Sequence, residues 1–371
     1  MRVVYVSPHA TCGGAERVTM DLIALHGRGS VEPAALFLRD GPLVEEARAL
    51  GVDTDVLVVP RMRNVLAAER AKRTLAQRLV ALKAELVHGV TAWGHCYAGE
   101  AASIARIPAV WFQHDVPRWR RPESVLAALT PARRILANSA LTANAQHRFN
   151  PRRVKIEIVL PGTRIPTEPR PVRRARGRAA LGFGADEYLV GMVARLACGK
   201  GHPTLLRAAQ SLCAARADAR VVVAGGSLFG TDAGYPAELE RLAASLGIAE
   251  RVRFVGQIEQ VGDVISALDV TVHVPDGSES FSLAVIEGMA AGTAVVAADA
   301  GAVREIVEPG VTALLVPAGD HEALATALLA LHDDPGAREG IAGAGAEAAR
   351  TRFDARQMAS RVESIYREAV A

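Results

Sequence analysis

Short runs of Val, Ile, Leu and Ala recur along the chain, with stretches of helical periodicity between them. The runs at 3–7, 33–38, 55–59, 86–90, 109–113 and 134–138 lack the alternation of a half-solvated strand. They therefore predict a parallel sheet buried on both faces. A second series follows at 188–194, 220–224, 252–255, 270–274, 294–297 and 313–316. Together the two series predict an α/β protein with two doubly wound, Rossmann-like domains. Between them, Pro161, Pro166, Pro169 and Pro171 crowd one segment, and an arginine-rich run continues to Arg178. That composition predicts a linker in place of a regular element. Near the end, Met358, Val362, Ile365, Tyr366 and Ala369 share one side of an amphipathic helix pattern over 353–370. The expected organisation is a first domain at 1–165, a second at 166–350, and a helix at 351–371 packing back across their junction.

Length supports this division, because 371 residues exceed the usual single core and half of them are apolar. Charge is unevenly spread: residues 1–170 carry 24 Lys and Arg against 15 Asp and Glu, and the remainder 19 against 25. The basic first half suits an anionic surface or acceptor, and equally an arginine-rich solvated face in a chain with four lysines. Nucleic acid is disfavoured as a partner, since no long basic stretch is interleaved with aromatics. Cys12, Cys96, Cys198 and Cys213 show no paired spacing and no metal-ligand rhythm, which favours reduced thiols. The opening Met1-Arg2-Val3-Val4-Tyr5-Val6 reads as a first strand, not a secretion signal. No run reaches the roughly 20 apolar residues that span a bilayer. A cytoplasmic protein is expected, with peripheral contact at the inner membrane face left open.

Chemistry-bearing residues gather where strands give way to helices. Val274-Pro275-Asp276-Gly277-Ser278-Glu279-Ser280-Phe281-Ser282-Leu283 closes one apolar run, and a helix pattern carrying Glu287 follows. Glu279 in the loop can accept hydrogen bonds from sugar hydroxyls, and Glu287, about two helical turns on, can accept from both ribose hydroxyls. Free N–H groups of Ser280, Phe281, Ser282 and Leu283 between them suit a diphosphate. Arg195 and Lys200 flank a glycine-containing turn after another strand and can grip the same group. Gly13-Gly14 follows the opening strand, where a ligand-free tight turn and a phosphate loop read alike. His114 lies just past a buried strand, placed either to meet a sugar or to pack beside Asp115. Arg118-Trp119-Arg120-Arg121 reads either as a solvated loop or as a contact for lipid headgroups or an anionic acceptor.

Taken jointly, these residues resemble the retaining nucleotide-sugar glycosyltransferases of the GT-B fold, glycosyltransferase family four. The resemblance extends over essentially the whole chain and is strongest at 191–200 and 279–298. It implies two facing Rossmann-like domains across a cleft and transfer of a hexose-type sugar from a nucleoside diphosphate sugar, UDP first by family frequency, to an acceptor hydroxyl. Arg195 and Lys200 would bind the donor phosphates, Glu279 the transferred sugar, Glu287 the ribose, and His114 would lie beside the sugar. Gly13, Gly14, Phe281, Ser282 and Leu283 complete the expected donor site. No metal or other cofactor is expected, the basic pair serving in its place; anionic and lipid-linked acceptors stay open. Ser282 and Ala294 depart from the Gly and Pro usual in that family, and a side chain at Ser282 narrows the sugar's space. A nucleotide-sugar epimerase and a non-catalytic donor-binding partner are the rival readings.

Overall fold

The computed structural model describes residues 1–27, 29–60, 62–118, 120–226, 234–258 and 260–371. They form two compact units, one of Met1–Gly162 with Ala355–Ala371, the other of Thr163–Asp354. The expected boundaries were 165/166 and 350/351.

In the first unit the strands are β1 (Arg2–Ser7), β2 (Glu32–Phe37), β3 (Asp53–Val56), β4 (Leu86–Val90), β5 (Ala109–Gln113), β6 (Arg134–Ala137) and β7 (Lys155–Ile158). In the second they are β8 (Tyr188–Val193), β9 (Ala219–Ala224), β10 (Val252–Gly256), β11 (Val270–His273), β12 (Ala294–Ala298) and β13 (Leu314–Val316). Their orders are β3-β2-β1-β4-β5-β6-β7 and β10-β9-β8-β11-β12-β13. Every pairing among them is parallel. Each sheet winds outward from a central pair, β1 with β4 and β8 with β11. At such a reversal the loops leaving the carboxyl ends diverge and open a crevice. Strands β4, β11 and β12 are buried throughout, as suits a sheet covered on both faces.

Two sequence expectations fail here. The strand β7 was not foreseen, because Lys155-Ile156-Glu157-Ile158 is a charged edge strand of alternating exposure, not a buried run. Its buried Glu157 is held by Arg361 at 2.6 Å and Lys155 at 3.2 Å. The expected linker is also shorter than its composition suggested, for the arginine-rich run forms the helix Arg170–Leu181. Pro171 stands in its first turn, where a missing N–H costs nothing, and Gly182 ends it in the left-handed region at φ 71°. Arg178 is buried, donating to the carbonyls of Gly184, Ala185, Glu187 and Ala267.

The helix Ala355–Val370 buries the predicted face, Met358, Val362, Ile365, Tyr366 and Ala369, within the first unit. The Tyr366 hydroxyl meets His88 Nδ1 on β4 at 2.6 Å and donates to the Tyr5 hydroxyl on β1 at 3.1 Å. Tyr5 in turn meets His26 Nδ1 at 2.5 Å, and His26 Nε2 reaches the Ala359 carbonyl at 2.9 Å. Burial pushes the pKa of both imidazoles down, so this internal network is built from neutral rings. Among the described residues, no helix is long and apolar enough to cross a membrane.

Candidate functional site

Because β8 and β11 lie side by side, the residues that follow them become neighbours at the crevice of the second unit. After β8 the chain reaches Lys200 between Gly199 and Gly201, whose φ values of 84° and 85° favour glycine. Gly201 presses on the Val274 carbonyl, and a Cβ there would collide with it. The Asp276 N–H donates to the Gly199 carbonyl at 3.0 Å. These contacts dock one loop on the other and seat the Lys200 ammonium on a carboxylate oxygen of Glu279.

The second carboxylate oxygen of Glu279 meets His273 Nε2 at 2.9 Å and accepts from Ser282 Oγ at 3.3 Å. Ser282 Oγ and His273 Nε2 are themselves 2.9 Å apart. A brace comes from the loop after β12, where the Ala302 N–H donates to the Glu279 carbonyl at 3.1 Å. Gly301 in that loop, at φ 64°, passes so close to the Glu279 backbone that no side chain fits. Burial pushes the Glu279 carboxyl pKa up, but the hydrogen bond and charge of His273, then Lys200, hold it down to about 2. It is ionised at neutral pH.

The helix Leu283–Ala291 begins directly after Ser282, four residues beyond Glu279. Ser282 is its N-cap residue but makes no capping bond, its hydroxyl being turned to His273 and Glu279. The first N–H groups of the helix therefore lack both an intrahelical acceptor and a side-chain cap, and they carry the positive end of the helix dipole. An anion suits that position. Since the helix starts at Leu283 and 279–282 is loop, Glu287 sits one turn inside it, not two turns after Glu279. The Phe281 ring packs edge-on against Phe353 at 6.3 Å.

The structure thus brings Lys200, Glu279 and Ser282 into one bonded cluster at the start of this helix. Arg195 stands exposed five residues before Lys200 on the same loop. In the first unit, Gly13 caps the helix Gly14–His26, and a side chain at Gly13 would meet the carboxylate of buried Glu16 at 2.5 Å. The chain's own carboxylate faces that helix start. His114 follows β5, buried with its ring 4.2 Å from Phe112, and burial pushes its pKa down to about 3, leaving a neutral imidazole. Trp119 of the basic segment lies outside the described residues.

Sequence reasoning missed His273, Gly201, Gly301 and His202. A polar residue ending the apolar run of β11 was the available signal for His273. His202, the first residue of the helix His202–Ala215, is wholly buried, and burial followed by the charge of Lys200 pushes its pKa down to about 4. Among the described residues, no cluster of three or more His, Cys, Asp or Glu could hold a metal ion.

Two family profiles match the chain: Glycosyltransferase Family 4 over residues 12–165 and Glycosyl transferases group 1 over 174–348. The D-inositol 3-phosphate glycosyltransferase of Rhodococcus jostii (strain RHA1) is 42% identical over 186 residues, covering 49% of this chain and 40% of that protein. The same-named protein of Thermobispora bispora is 36% identical over 221 residues, 58% of this chain and 51% of that one. The chain spans about half the length of the curated relatives it matches. Anabaena HepE in complex with UDP and glucose superposes with a TM-score of 0.86 at 25% identity, covering 99% of each chain. Sucrose-phosphate synthase from Thermosynechococcus elongatus shares the fold with a TM-score of 0.80 at 20% identity, covering 99% of this chain and 98% of that one.

Proposed function

The chain belongs to the group 1 glycosyl transferases, glycosyltransferase family four with the GT-B fold, and from that premise we propose that it moves a hexose from a UDP-sugar to an acceptor hydroxyl with the anomeric configuration kept. One observation carries this reading: the ion pair of Lys200 and Glu279 beside the uncapped start of the helix Leu283–Ala291.

The donor diphosphate would lie on the first N–H groups of that helix, with Lys200 and Arg195 offsetting the charge that builds as it leaves. Glu279, ionised and braced on three sides, would accept hydrogen bonds from hydroxyls of the transferred sugar. Glu287 would take the ribose hydroxyls, and His114, as a neutral donor or acceptor, would attend the sugar. Retention follows from front-face substitution. The acceptor oxygen bonds to the anomeric carbon, the bond to phosphate breaks on the same face, and the acceptor's proton passes to the departing phosphate oxygen. In this reading no metal ion is required, since Lys200 and Arg195 take its place.

UDP is favoured as the nucleotide by the likeness to HepE, which binds UDP and glucose. The relatives named for D-inositol 3-phosphate make that compound the first acceptor to assay. Mass spectrometry of the protein with panels of UDP-, GDP- and ADP-sugars and acceptors tests the proposal, and proton NMR couplings of the product report its anomeric configuration. A retained glycoside formed only with acceptor present is expected. Conversion of the donor alone, or donor binding without product across the acceptor panel, would overturn it.

A further inference from the structure

The opposite edge of the second sheet carries a pocket of about 580 Å³ that the transfer chemistry does not use. It lies where β11 begins, with Asp269 in its wall, whereas Glu279 follows the other end of that strand. Four residues of strand separate the two ends, roughly 13 Å at about 3.3 Å per residue. Its walls come largely from the helices Arg170–Leu181 and Pro335–Arg352, which contribute Arg170, Arg174, Arg178 and Arg338. Among the described residues of the lining, Asp269 and Glu339 oppose these four cations.

Two of the arginines are committed to the fold. Arg178 and Arg174 donate to the two oxygens of Asp269 at 2.7 and 3.0 Å. The other two keep donors in hand. Arg170 has a long 3.4 Å bond from Nη2 to the Leu268 carbonyl, and its Nε is buried with no partner. Arg338 donates through Nη1 to the Leu331 carbonyl at 2.7 Å and rests its guanidinium over the Tyr188 ring at 5.3 Å. Each guanidinium has five N–H donors, so both retain several for a ligand. Burial pushes the Arg170 pKa below the ordinary arginine range against the charge of Asp269, and the charges of Arg174, Arg173 and Arg338 add to the lowering. The cations there repel one another, and an added anion would relieve them. The half-buried ring of Phe183 and the methyls of Ala175 and Ala342 supply an apolar wall, and Glu339 is exposed at the surface of its helix. The volume lies within the range of small-molecule sites.

We propose that this pocket is a second ligand site, for a small soluble organic phosphate whose anionic group is held by Arg170 and Arg338 and whose apolar part lies against Phe183. It does not depend on the glycosyl-transfer reading, and its test reads binding alone.

Calorimetric titration with phenyl phosphate, with inorganic phosphate and phenol as partial probes, should show one site in the wild-type protein and in Lys200→Ala alike. Phenyl phosphate should bind more tightly than either fragment. Binding should weaken at least tenfold in Arg170→Ala and in Arg338→Ala, with Arg170→Lys recovering part of it. Should the alanine variants fold poorly, phenylglyoxal labelling of the wild-type protein gives a separate reading: phenyl phosphate should slow modification of Arg170 and Arg338, mapped by mass spectrometry. Loss of binding in Lys200→Ala would place the ligand at the other edge, and unchanged labelling would leave the arginines as struts; either overturns the proposal. So would binding seen only with phosphatidic acid vesicles and not with soluble phosphate.

Discussion

Asp269 and Glu279 stand beyond the two ends of β11, each a carboxylate held by cations, and their surroundings differ in one respect. Asp269 receives two guanidinium groups and the Leu189 N–H at 2.8 Å, all from rigid elements, and its side chain is 8% exposed. Glu279 is 20% exposed and is met by the long flexible Lys200, by an imidazole and by a serine hydroxyl. Two partners of Asp269, Arg178 and the Leu189 N–H, would have to leave the protein interior to be replaced. Lys200 can leave Glu279 by rotating its partly exposed side chain. Charge pairing alone therefore does not mark a site; what marks it is whether the pair can open at small cost.

Substitutions at the two positions should separate these roles. Asp269→Ala strands buried Arg178 without its countercharge, and a loss of about 3–5 kcal/mol in denaturant unfolding is expected. A loss under about 1 kcal/mol would erase the contrast. Lys200→Ala should leave unfolding nearly unchanged, as befits a partly solvated pair, while lowering kcat by roughly 10²–10³. Near wild-type turnover in that variant, folded, would remove Lys200 from the chemistry. His273→Ala withdraws a hydrogen bond from an ionised carboxylate, typically about 1.5–3 kcal/mol, so kcat/KM should fall about tenfold or more. Its acid limb should also move to higher pH, since His273 is the foremost influence lowering the Glu279 pKa. A simple packing role would leave that limb in place.

Acid offers a gentler probe. Glu279 has a folded pKa of about 2 against an ordinary 4.5, so the stability it contributes is full above about pH 4.5 and is lost as pH falls toward 2. Unfolding curves of the wild type and Glu279→Gln should therefore converge across that window and run parallel above it. The smallest effect belongs to Ser282→Gly, which removes one contact of 3.3 Å to Glu279 and the bond to His273; about 1 kcal/mol or less of stability is expected. A much larger loss would mean that Ser282 holds Glu279 in place.

Strand positions were readable because a sheet buried on both faces demands unbroken apolar runs, and Val270-Thr271-Val272 or Ala294-Val295-Val296 supply them. The edge strand β7 escaped for the converse reason. The helix Arg170–Leu181 was misread because its arginines look solvated in isolation; Asp269, which neutralises Arg178, is 91 residues away along the chain. Lys200 and Glu279 stood out by following strand ends. The brace from Gly301, 22 residues beyond Glu279, depends on β12 lying next to β11, which no local pattern encodes.

The helix Ala355–Val370 imposes an order of events during synthesis. It completes the first unit, yet the ribosome makes it only after residues 163–354 have been added. At about 5–20 residues per second, that delay is roughly 10–40 s. Until then Tyr5 and His88 lack the Tyr366 hydroxyl and His26 lacks the Ala359 carbonyl, and the nascent amino-terminal half must wait with an unfinished interior while the later half, continuous in the chain, can fold first.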